Sequence, residues 1–256
     1  MRILRGCFRI TAVFVVIGLG TIIILATAWL PVNIKGVRLS AWPITFMSRT
    51  LMRLFNIQVI CLEPDRFRQP GFVFPNHTSY LDILVLTSFL PFRFLSKAEL
   101  RRWPFVGWIA SAIGTVFVNR QDKASREQAR VALSQIARFP PIVLFPEGGI
   151  FSPPEVLHSF RYGAFEIAVQ GGVPFLPCVL LYDPLEIAFW GDESLPAAVW
   201  RLATFSGSLK IRLFALKPVH PTPDDDPRQL ALETHGAMEA ILTYSGHEDQ
   251  VLKSGI

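Results

Sequence analysis

The most prominent feature of the hydropathy pattern is a long apolar run near the N-terminus. No charged residue occurs from position 10 to position 34, and residues 10–30 are enough to cross about 30 Å of hydrocarbon as a helix. A secretory signal peptide is the alternative, because Ala26-Thr27-Ala28 resembles a cleavage site. The run is longer than a signal peptide requires, and a basic amphipathic stretch follows it. The pattern therefore favours a membrane anchor.

The next segment, residues 42–55, interleaves large apolar side chains with Arg49 and Arg53. Pro43 suits the first turn of a helix, and the spacing predicts an amphipathic helix. Such a helix either lies in the membrane surface or packs on a protein core, and the sequence leaves both readings open. We expect residues 1–56 to form an N-terminal membrane-anchoring helical segment and residues 57–256 to form the domain that follows it.

Beyond residue 56, short β-rich runs alternate with stretches of helical periodicity. The predicted strands are residues 57–61, 71–74, 114–119, 141–145, 173–182 and 209–216. The predicted helices are residues 79–89, 123–139, 160–170 and 227–243. Alternation of this kind predicts an α/β fold with a mostly parallel sheet flanked by helices.

The distribution of charge separates the two parts of the chain. Residues 1–56 contain seven basic and no acidic residues, whereas residues 57–256 contain 18 basic and 20 acidic residues, a net charge of −2. Because the basic segment is also the most apolar one, it indicates attraction to anionic lipid headgroups and not to nucleic acid. Cys7, Cys61 and Cys178 are far apart and form no disulfide or zinc-binding pattern.

His77 and Asp82 are the residues best suited to acid–base chemistry. A histidine can take a proton near neutral pH, and a carboxylate bound to its other ring nitrogen fixes its tautomer. Residues five apart do not share a helix face, so the two can meet only if His77 precedes a helix and Asp82 lies in its first turn. Asp82 could instead cap that helix together with Ser79. The spacing alone is not specific, because His220 and Asp225 repeat it.

Four sequence blocks, taken together, are more specific than this pair. They are Asn76-His77 with Asp82, residues 114–120 (GTVFVNR), Phe145-Pro146-Glu147-Gly148 and residues 173–177 (VPFLP). In this order and at these intervals they resemble the blocks of the lysophosphatidic acid acyltransferase (glycerolipid acyltransferase) family. The resemblance spans residues 57–182. A membrane-associated N-terminal helical segment is typical of that family.

The resemblance implies an O-acyltransferase that moves a fatty acyl group directly from acyl-CoA or acyl carrier protein, without a cofactor or a metal ion. His77 would be the general base, and Asp82 would orient it. The candidates for substrate binding are Arg120, Glu147, Gly148, Arg161 and Lys97. Backbone N–H groups near Gly148 or at residues 78–79 would stabilise the oxyanion.

The third block departs from the family pattern, in which Thr-Arg usually follows Glu-Gly. Gly149 and Ile150 stand in those positions here. The family's arginine is associated with the acceptor's phosphate, and a charge-assisted hydrogen bond contributes roughly 1.5–3 kcal/mol. Arg120, Arg161 or Lys97 could compensate for its loss. Alternatively, the acceptor carries a capped phosphate or none.

We therefore expect a membrane-bound enzyme of phospholipid biosynthesis whose leading acceptor is lysophosphatidic acid, giving phosphatidic acid. Its partners would be the lipid bilayer, the lysolipid and the acyl donor, with the catalytic domain facing the cytoplasm from the inner (cytoplasmic) membrane. Lysophosphatidylcholine, lysophosphatidylethanolamine and lyso-aminolipids are alternative acceptors. A thioesterase or lipase, and a non-catalytic membrane-binding protein of the same fold, are the alternatives from other classes.

Overall fold

The computed structural model of the chain describes residues 1–119, 121–135, 139–153 and 156–254. Its helices are α1 (Arg2–Thr27), α2 (Trp42–Leu54), α3 (Leu81–Phe89), α4 (Val106–Ala112), α5 (Lys123–Gln135), α6 (Gly163–Gln170), α7 (Leu185–Ala188), α8 (Leu195–Thr204) and α9 (Pro227–Ser254). Its strands are β1 (Asn33–Ile34), β2 (Val37–Arg38), β3 (Ile57–Cys61), β4 (Phe72–Pro75), β5 (Arg93–Lys97), β6 (Val116–Val118), β7 (Ile142–Val143), β8 (Phe175–Asp183) and β9 (Leu209–Ala215).

The main sheet runs in the order β3-β9-β8-β4-β7-β5-β6. Its neighbouring strands are parallel, with the exception of β8 and β9, which pair antiparallel. β1 and β2 form a small antiparallel pair of their own. The α/β fold with a mostly parallel sheet flanked by helices, predicted from the alternation of patterns, is therefore confirmed.

Both faces of β4 are buried, as expected for a central strand of a parallel sheet. Successive side chains point to opposite faces, so Val73 packs with α2 and α3 while Phe72 and Phe74 pack with α6 and α9. The ring of Phe74 lies 4.7 Å from that of Phe175 and 5.0 Å from that of Phe165, measured between centroids. These two apolar layers hold the strand that carries the first sequence block.

The structure differs from the predicted elements mainly where polar residues or prolines interrupt the pattern. The prediction for residues 57–61 is confirmed as β3. The pattern does not predict β5, because its first residue is Arg93, which is buried and donates from Nε to the carbonyl of Pro140 at 2.9 Å. Burial lowers the pKa of Arg93 to about 10. The short helices α4, α7 and α8, each preceded by or containing a proline, are also absent from the prediction.

The observed bounds of several helices also differ from the predicted ones. Helix α3 begins at Leu81 and not at residue 79, and α6 begins at Gly163 and not at residue 160. Helix α9 extends to Ser254. The last part of the helix predicted at residues 123–139 includes residues 136–138, which lie outside the described residues.

Helix α1 contains residues 10–27 of the predicted apolar run, together with the arginines that precede it, and ends three residues before the run does. By length and composition it can cross a membrane, and it is a candidate membrane anchor. One side of it packs on the rest of the protein, because Gly6 lies against Trp200 of α8 and Gly20 lies against Met47 of α2. A Cβ atom on Gly20 would lie 2.0 Å from Met47 Sδ, so a larger residue there would require the Met47 side chain to shift. This docking favours the anchor over a removable signal peptide.

Helix α2 packs on the protein core through one side, which supports the second of the two readings of its amphipathic pattern. Leu51 and Met52 are buried, and the hydroxyl of Ser48 lies 2.7 Å from that of Thr87 on α3. Its other side exposes Phe46. Residues 1–56 therefore contact the rest of the chain extensively, and the domain boundary at residue 56 stays a prediction.

Candidate active site

The first and third sequence blocks meet at one edge of the sheet. β4 and β7 are parallel neighbours, and the residues that follow them therefore leave the sheet on the same side. β4 leads into His77, and β7 leads into Phe145 and Glu147. The ring of Phe145 stacks on the imidazole of His77, with 3.8 Å between centroids and an angle of 20° between planes.

The pair predicted between His77 and Asp82 is present. His77 Nδ1 lies 2.7 Å from Asp82 Oδ2, and the Asp82 side chain is fully buried. The same oxygen accepts hydrogen bonds from the backbone N–H groups of Thr78 and Ser79, each at 3.0 Å. Asp82 thus caps the start of α3 and holds His77 at the same time, so the two readings of the sequence are compatible.

The other carboxylate oxygen, Asp82 Oδ1, accepts a hydrogen bond from the hydroxyl of Tyr182 on β8. Burial, together with the charge of Asp82, raises the pKa of Tyr182 well above its ordinary value, so the hydroxyl stays protonated and donates. Sequence reasoning missed this residue. A signal was available, because a tyrosine in an otherwise apolar buried strand needs a partner for its hydroxyl.

Asn76 fixes the loop that carries His77 to the neighbouring strand β8. Its Nδ2 donates to the carbonyl of Leu180 and to Thr78 Oγ1, each at 3.1 Å, and its Oδ1 accepts from the N–H of Leu180 at 2.7 Å. The side chain is buried. Asn76 therefore extends the pairing of β4 with β8 by one residue, and this fixes the position of the next residue, His77.

Glu147 joins this loop to the segment that follows the third block. Its Oε1 accepts the backbone N–H of His77 at 2.7 Å, and its Oε2 accepts the backbone N–H of His158 at 3.1 Å. The residue is only 4% exposed, and this burial raises the pKa of its carboxyl group. Both oxygens therefore face main-chain donors, and each loop is positioned against the other.

A groove of about 400 Å³ opens beside the stacked rings of His77 and Phe145. Most of its walls are apolar side chains from β5, β6, α5 and α6, while Gly148, Arg130 and Arg161 contribute its polar part. Phe145 lines the groove and stacks on His77, so its ring connects the groove to the His77–Asp82 pair.

Comparison with known proteins agrees with this geometry. The family model described as Acyltransferase matches residues 56–181. A lyso-ornithine lipid O-acyltransferase of Pseudomonas aeruginosa is 32% identical over 211 residues, which are 80% of this chain and 78% of that protein. The chain belongs to the acyltransferase family.

Other relatives of this acyltransferase carry different acceptor names. A 1-acyl-sn-glycerol-3-phosphate acyltransferase of Neisseria meningitidis is 29% identical over 144 residues, covering 54% of this chain and 56% of the relative. The crystal structure of the 1-acyl-sn-glycerophosphate acyltransferase of Thermotoga maritima matches with a TM-score of 0.73 at 20% identity. That match covers 96% of this chain and 98% of the other, and it shows that the fold is shared.

The other residues predicted to bind substrate lie at different distances from the His77–Asp82 pair. Arg161 lies across Gly148, where a Cβ atom would be 2.6 Å from its Nε, and Gly148 has a φ of +79° that suits glycine. Lys97 is exposed at the end of β5 and is not among the groove-lining residues. Arg120 lies outside the described residues. The structure thus brings Glu147, Gly148 and Arg161 to the pair and leaves Lys97 apart.

The backbone donors expected at the oxyanion are already engaged. The N–H groups of Thr78 and Ser79 donate to Asp82, and the N–H of Gly148 donates to the carbonyl of Phe145 at 3.0 Å. These three N–H groups thus have acceptors within the protein, and stabilisation of the oxyanion by backbone donors near Gly148 or at residues 78–79 stays a prediction. In the part of the chain that the structure describes, no cluster of metal-binding side chains occurs.

Proposed function

We propose that this acyltransferase moves a fatty acyl group from a thioester donor to the hydroxyl of a lysolipid, with His77 as the general base. The 2.7 Å hydrogen bond between His77 Nδ1 and Asp82 Oδ2 carries the proposal. Because an ionised carboxylate can only accept, Nδ1 holds the proton and Nε2 presents its lone pair. Among the described residues nothing hydrogen-bonds to Nε2, which leaves it to the substrate hydroxyl.

The reaction then proceeds without an acyl-enzyme. His77 Nε2 takes the proton from the lysolipid hydroxyl while the hydroxyl oxygen attacks the thioester carbonyl. The intermediate collapses as the carbon–sulfur bond breaks, and the proton passes from Nε2 to the departing thiolate. The products are a diacylated lipid and the free thiol of CoA or of the acyl carrier protein. Asp82 supports the imidazolium that exists between these steps.

Tyr182 and Glu147 act in this mechanism as positioning residues. Tyr182 holds the carboxylate that holds His77, and Glu147 holds the main chain of His77 itself. General-base catalysis depends on a hydrogen-bond distance between the base and the hydroxyl, so small displacements of His77 are costly. We assign Glu147 to this role in preference to direct contact with the acceptor, because both of its oxygens already accept main-chain N–H groups.

We place lyso-ornithine lipid ahead of lysophosphatidic acid as the acceptor. Two observations support this order: the match to the Pseudomonas aeruginosa protein is longer than the match to the Neisseria meningitidis protein, and Gly149-Ile150 replaces the arginine associated with a phosphate monoester. In this proposal Arg161 receives the anionic part of the acceptor's headgroup beside Gly148. Arg120 and Lys97 stay candidates for further contacts with the substrates.

The groove beside Phe145 is the proposed site of a fatty acyl chain, because its walls are mostly apolar. Helix α1 would hold the enzyme on the inner (cytoplasmic) membrane, with the catalytic domain on the cytoplasmic side, where acyl thioesters are made. The lysolipid could then enter from the bilayer and the donor from the aqueous phase.

The test is a panel of acceptors assayed with the purified enzyme in vesicles. Lyso-ornithine lipid, lysophosphatidic acid and lysophosphatidylethanolamine are each supplied with labelled acyl-CoA or acyl carrier protein, and diacylated product is measured. We expect product from lyso-ornithine lipid in the wild type and about 1,000-fold less in His77→Ala. Undiminished transfer by the variant would contradict the general-base role, and labelled free fatty acid without diacylated lipid would indicate a hydrolase.

A further inference from the structure

An exposed cluster of large apolar side chains lies at the start of α4. Trp103, Phe105, Val106 and Trp108 are between 42% and 51% exposed, all within six residues of sequence. Soluble proteins seldom expose so many large apolar side chains in one short segment unless the segment contacts something. Two exposed arginines, Arg101 and Arg102, come directly before it. We call residues 101–108 the aromatic turn.

The aromatic turn is held in a defined conformation. Phe105 has a φ of +60°, a left-handed conformation that costs free energy for a residue other than glycine. Gly107 packs directly on the backbone, since a Cβ atom there would lie 2.2 Å from the carbonyl oxygen of Arg101. The rings of Phe105 and Trp108 lie 5.4 Å apart. The chain is therefore bent so that these aromatic side chains stand together on the surface.

The turn is continuous with the outer side of α1. Ile109 of α4 is buried in a small cluster with Ile24 of α1 and Met47 of α2. On α1, the neighbours of Ile24 include Ile22 and Ile23, which are exposed. Helix α4 thus contacts α1 through Ile109 and Ile24, and on both helices the residue directly before each of these two in sequence is exposed and apolar.

We propose that the aromatic turn is a second membrane-contacting surface, which inserts its aromatic side chains at the boundary between headgroups and acyl chains of an anionic bilayer, next to α1. Tryptophan and phenylalanine favour that depth, because a large apolar ring can be buried there near polar groups. Arg101 and Arg102 suit the anionic headgroups beside it. A protein partner would leave the adjoining apolar side of α1 unexplained, so the bilayer is the occupant that fits both parts of the surface.

A pair of substitutions at one position tests the proposal. Val106→Glu and Val106→Lys remove the same apolar side chain at a half-exposed position but differ by two units of charge. On anionic vesicles of phosphatidylglycerol and phosphatidylcholine we expect the Glu variant to bind about 30-fold more weakly than the Lys variant. On pure phosphatidylcholine vesicles the two should bind alike. Equal binding of the two variants on anionic vesicles would overturn the proposal.

Depth-dependent quenching provides an independent measurement on the same surface. Brominated lipids quench tryptophan fluorescence only where the indole enters the bilayer. Trp103→Phe with Trp108→Phe should lower the quenched fraction by roughly half, whereas Trp190→Phe should not lower it. An unchanged fraction in the double variant would also overturn the proposal. Both experiments omit the acyl donor and the acceptor, so their outcome does not depend on the proposed reaction.

Discussion

The two sides of the proposed active site are built in different ways. On the side of the first block, Asp82 is fully buried and accepts four hydrogen bonds. On the side of the third block, Arg161 is exposed and the Gly149-Ile150 pair replaces a charged residue of the family pattern. An unsatisfied buried polar group costs about 1–3 kcal/mol, whereas an exposed side chain can change with little effect on folding. The acid–base pair is therefore fixed by folding, while the acceptor side is free to differ between relatives.

The most severe test of the buried side is Asp82→Asn. The amide nitrogen would either oppose the N–H groups of Thr78 and Ser79 or turn to the hydroxyl of Tyr182, which would have to change from donor to acceptor. In either orientation His77 would lose the negative charge that supports its cationic form. We expect kcat/KM for acyl transfer to fall about 1,000-fold or more. Steady-state assays with the preferred lysolipid measure this.

Asp225→Asn is the matched control, because His220 and Asp225 have the same spacing as the active pair. Asp225 instead accepts a hydrogen bond from the backbone N–H of Thr222, at 2.6 Å. Activity should be unchanged in this variant. A comparable loss in both variants would mean that the buried network is not what distinguishes the first pair.

The next largest effect is expected for Glu147→Gln. The amide nitrogen would oppose the backbone N–H of either His77 or His158, so one of the two loops must shift. A displacement of the base by about 1 Å can lower the rate roughly 100-fold. We expect kcat to fall by about that factor with little change in the KM for the acceptor. A change in KM alone would assign Glu147 to direct contact with the acceptor.

Glu147→Gln should also change how the free energy of unfolding depends on pH. Burial raises the pKa of Glu147 above 4.5, so the folded protein holds this proton more firmly than the unfolded chain. The contribution of Glu147 to the free energy of unfolding is therefore complete below pH 4.5 and declines as the pH rises through the folded-state pKa. Urea unfolding at a series of pH values should show this decline in the wild type and not in Glu147→Gln.

Tyr182→Phe tests the link between β8 and the pair. Without the hydroxyl, Asp82 loses one donor, and more of its negative charge faces His77. We expect kcat to fall about 10-fold, because one hydrogen bond to a charged group is lost while the fold is kept. Steady-state kinetics of the purified variant measure this.

Tyr80→Phe is the control for this change. Tyr80 is also largely buried, and burial raises its pKa, but its hydroxyl lies 3.4 Å from the carbonyl of Ala198 and does not bind Asp82. Its kcat should match that of the wild type. A comparable fall in both variants would indicate a general effect of losing a buried hydroxyl.

The parts of the fold that follow from local pattern could be predicted from the sequence. β3 and the run before Pro75 are apolar stretches of strand length ended by residues that stop a strand. The order of the four blocks then indicated which histidine and aspartate belong to the site. β5 could not be found in this way, because the partner that makes the buried Arg93 acceptable, the carbonyl of Pro140, lies 47 residues further along the chain.

The roles within the site depend on contacts that spacing cannot reveal. His77 and Asp82 pair while His220 and Asp225 do not, and part of the difference is Tyr182, which comes from a strand 100 residues beyond Asp82. Glu147 stands at a position where the family resemblance implies substrate binding, yet its oxygens are directed at the main chain. In both cases tertiary contacts between strand ends determine which groups are available to a substrate.

The smallest effect is expected on the exposed side, for Arg161→Gln. The guanidinium is partly solvated, so its bond to an anionic headgroup is weaker than a buried one, and we expect the KM for the acceptor to rise only about 3- to 10-fold. The rise should be larger for lysophosphatidic acid than for lyso-ornithine lipid, because a phosphate monoester carries more negative charge. Arg68→Gln, at an exposed arginine paired with Asp65, is the matched control for loss of one positive charge. An equal rise in both variants would place the effect in the overall charge of the protein. A fall in kcat at constant KM would instead indicate that Arg161 acts on the His77–Asp82 pair. The buried and exposed sides of the site would then not differ in the way proposed.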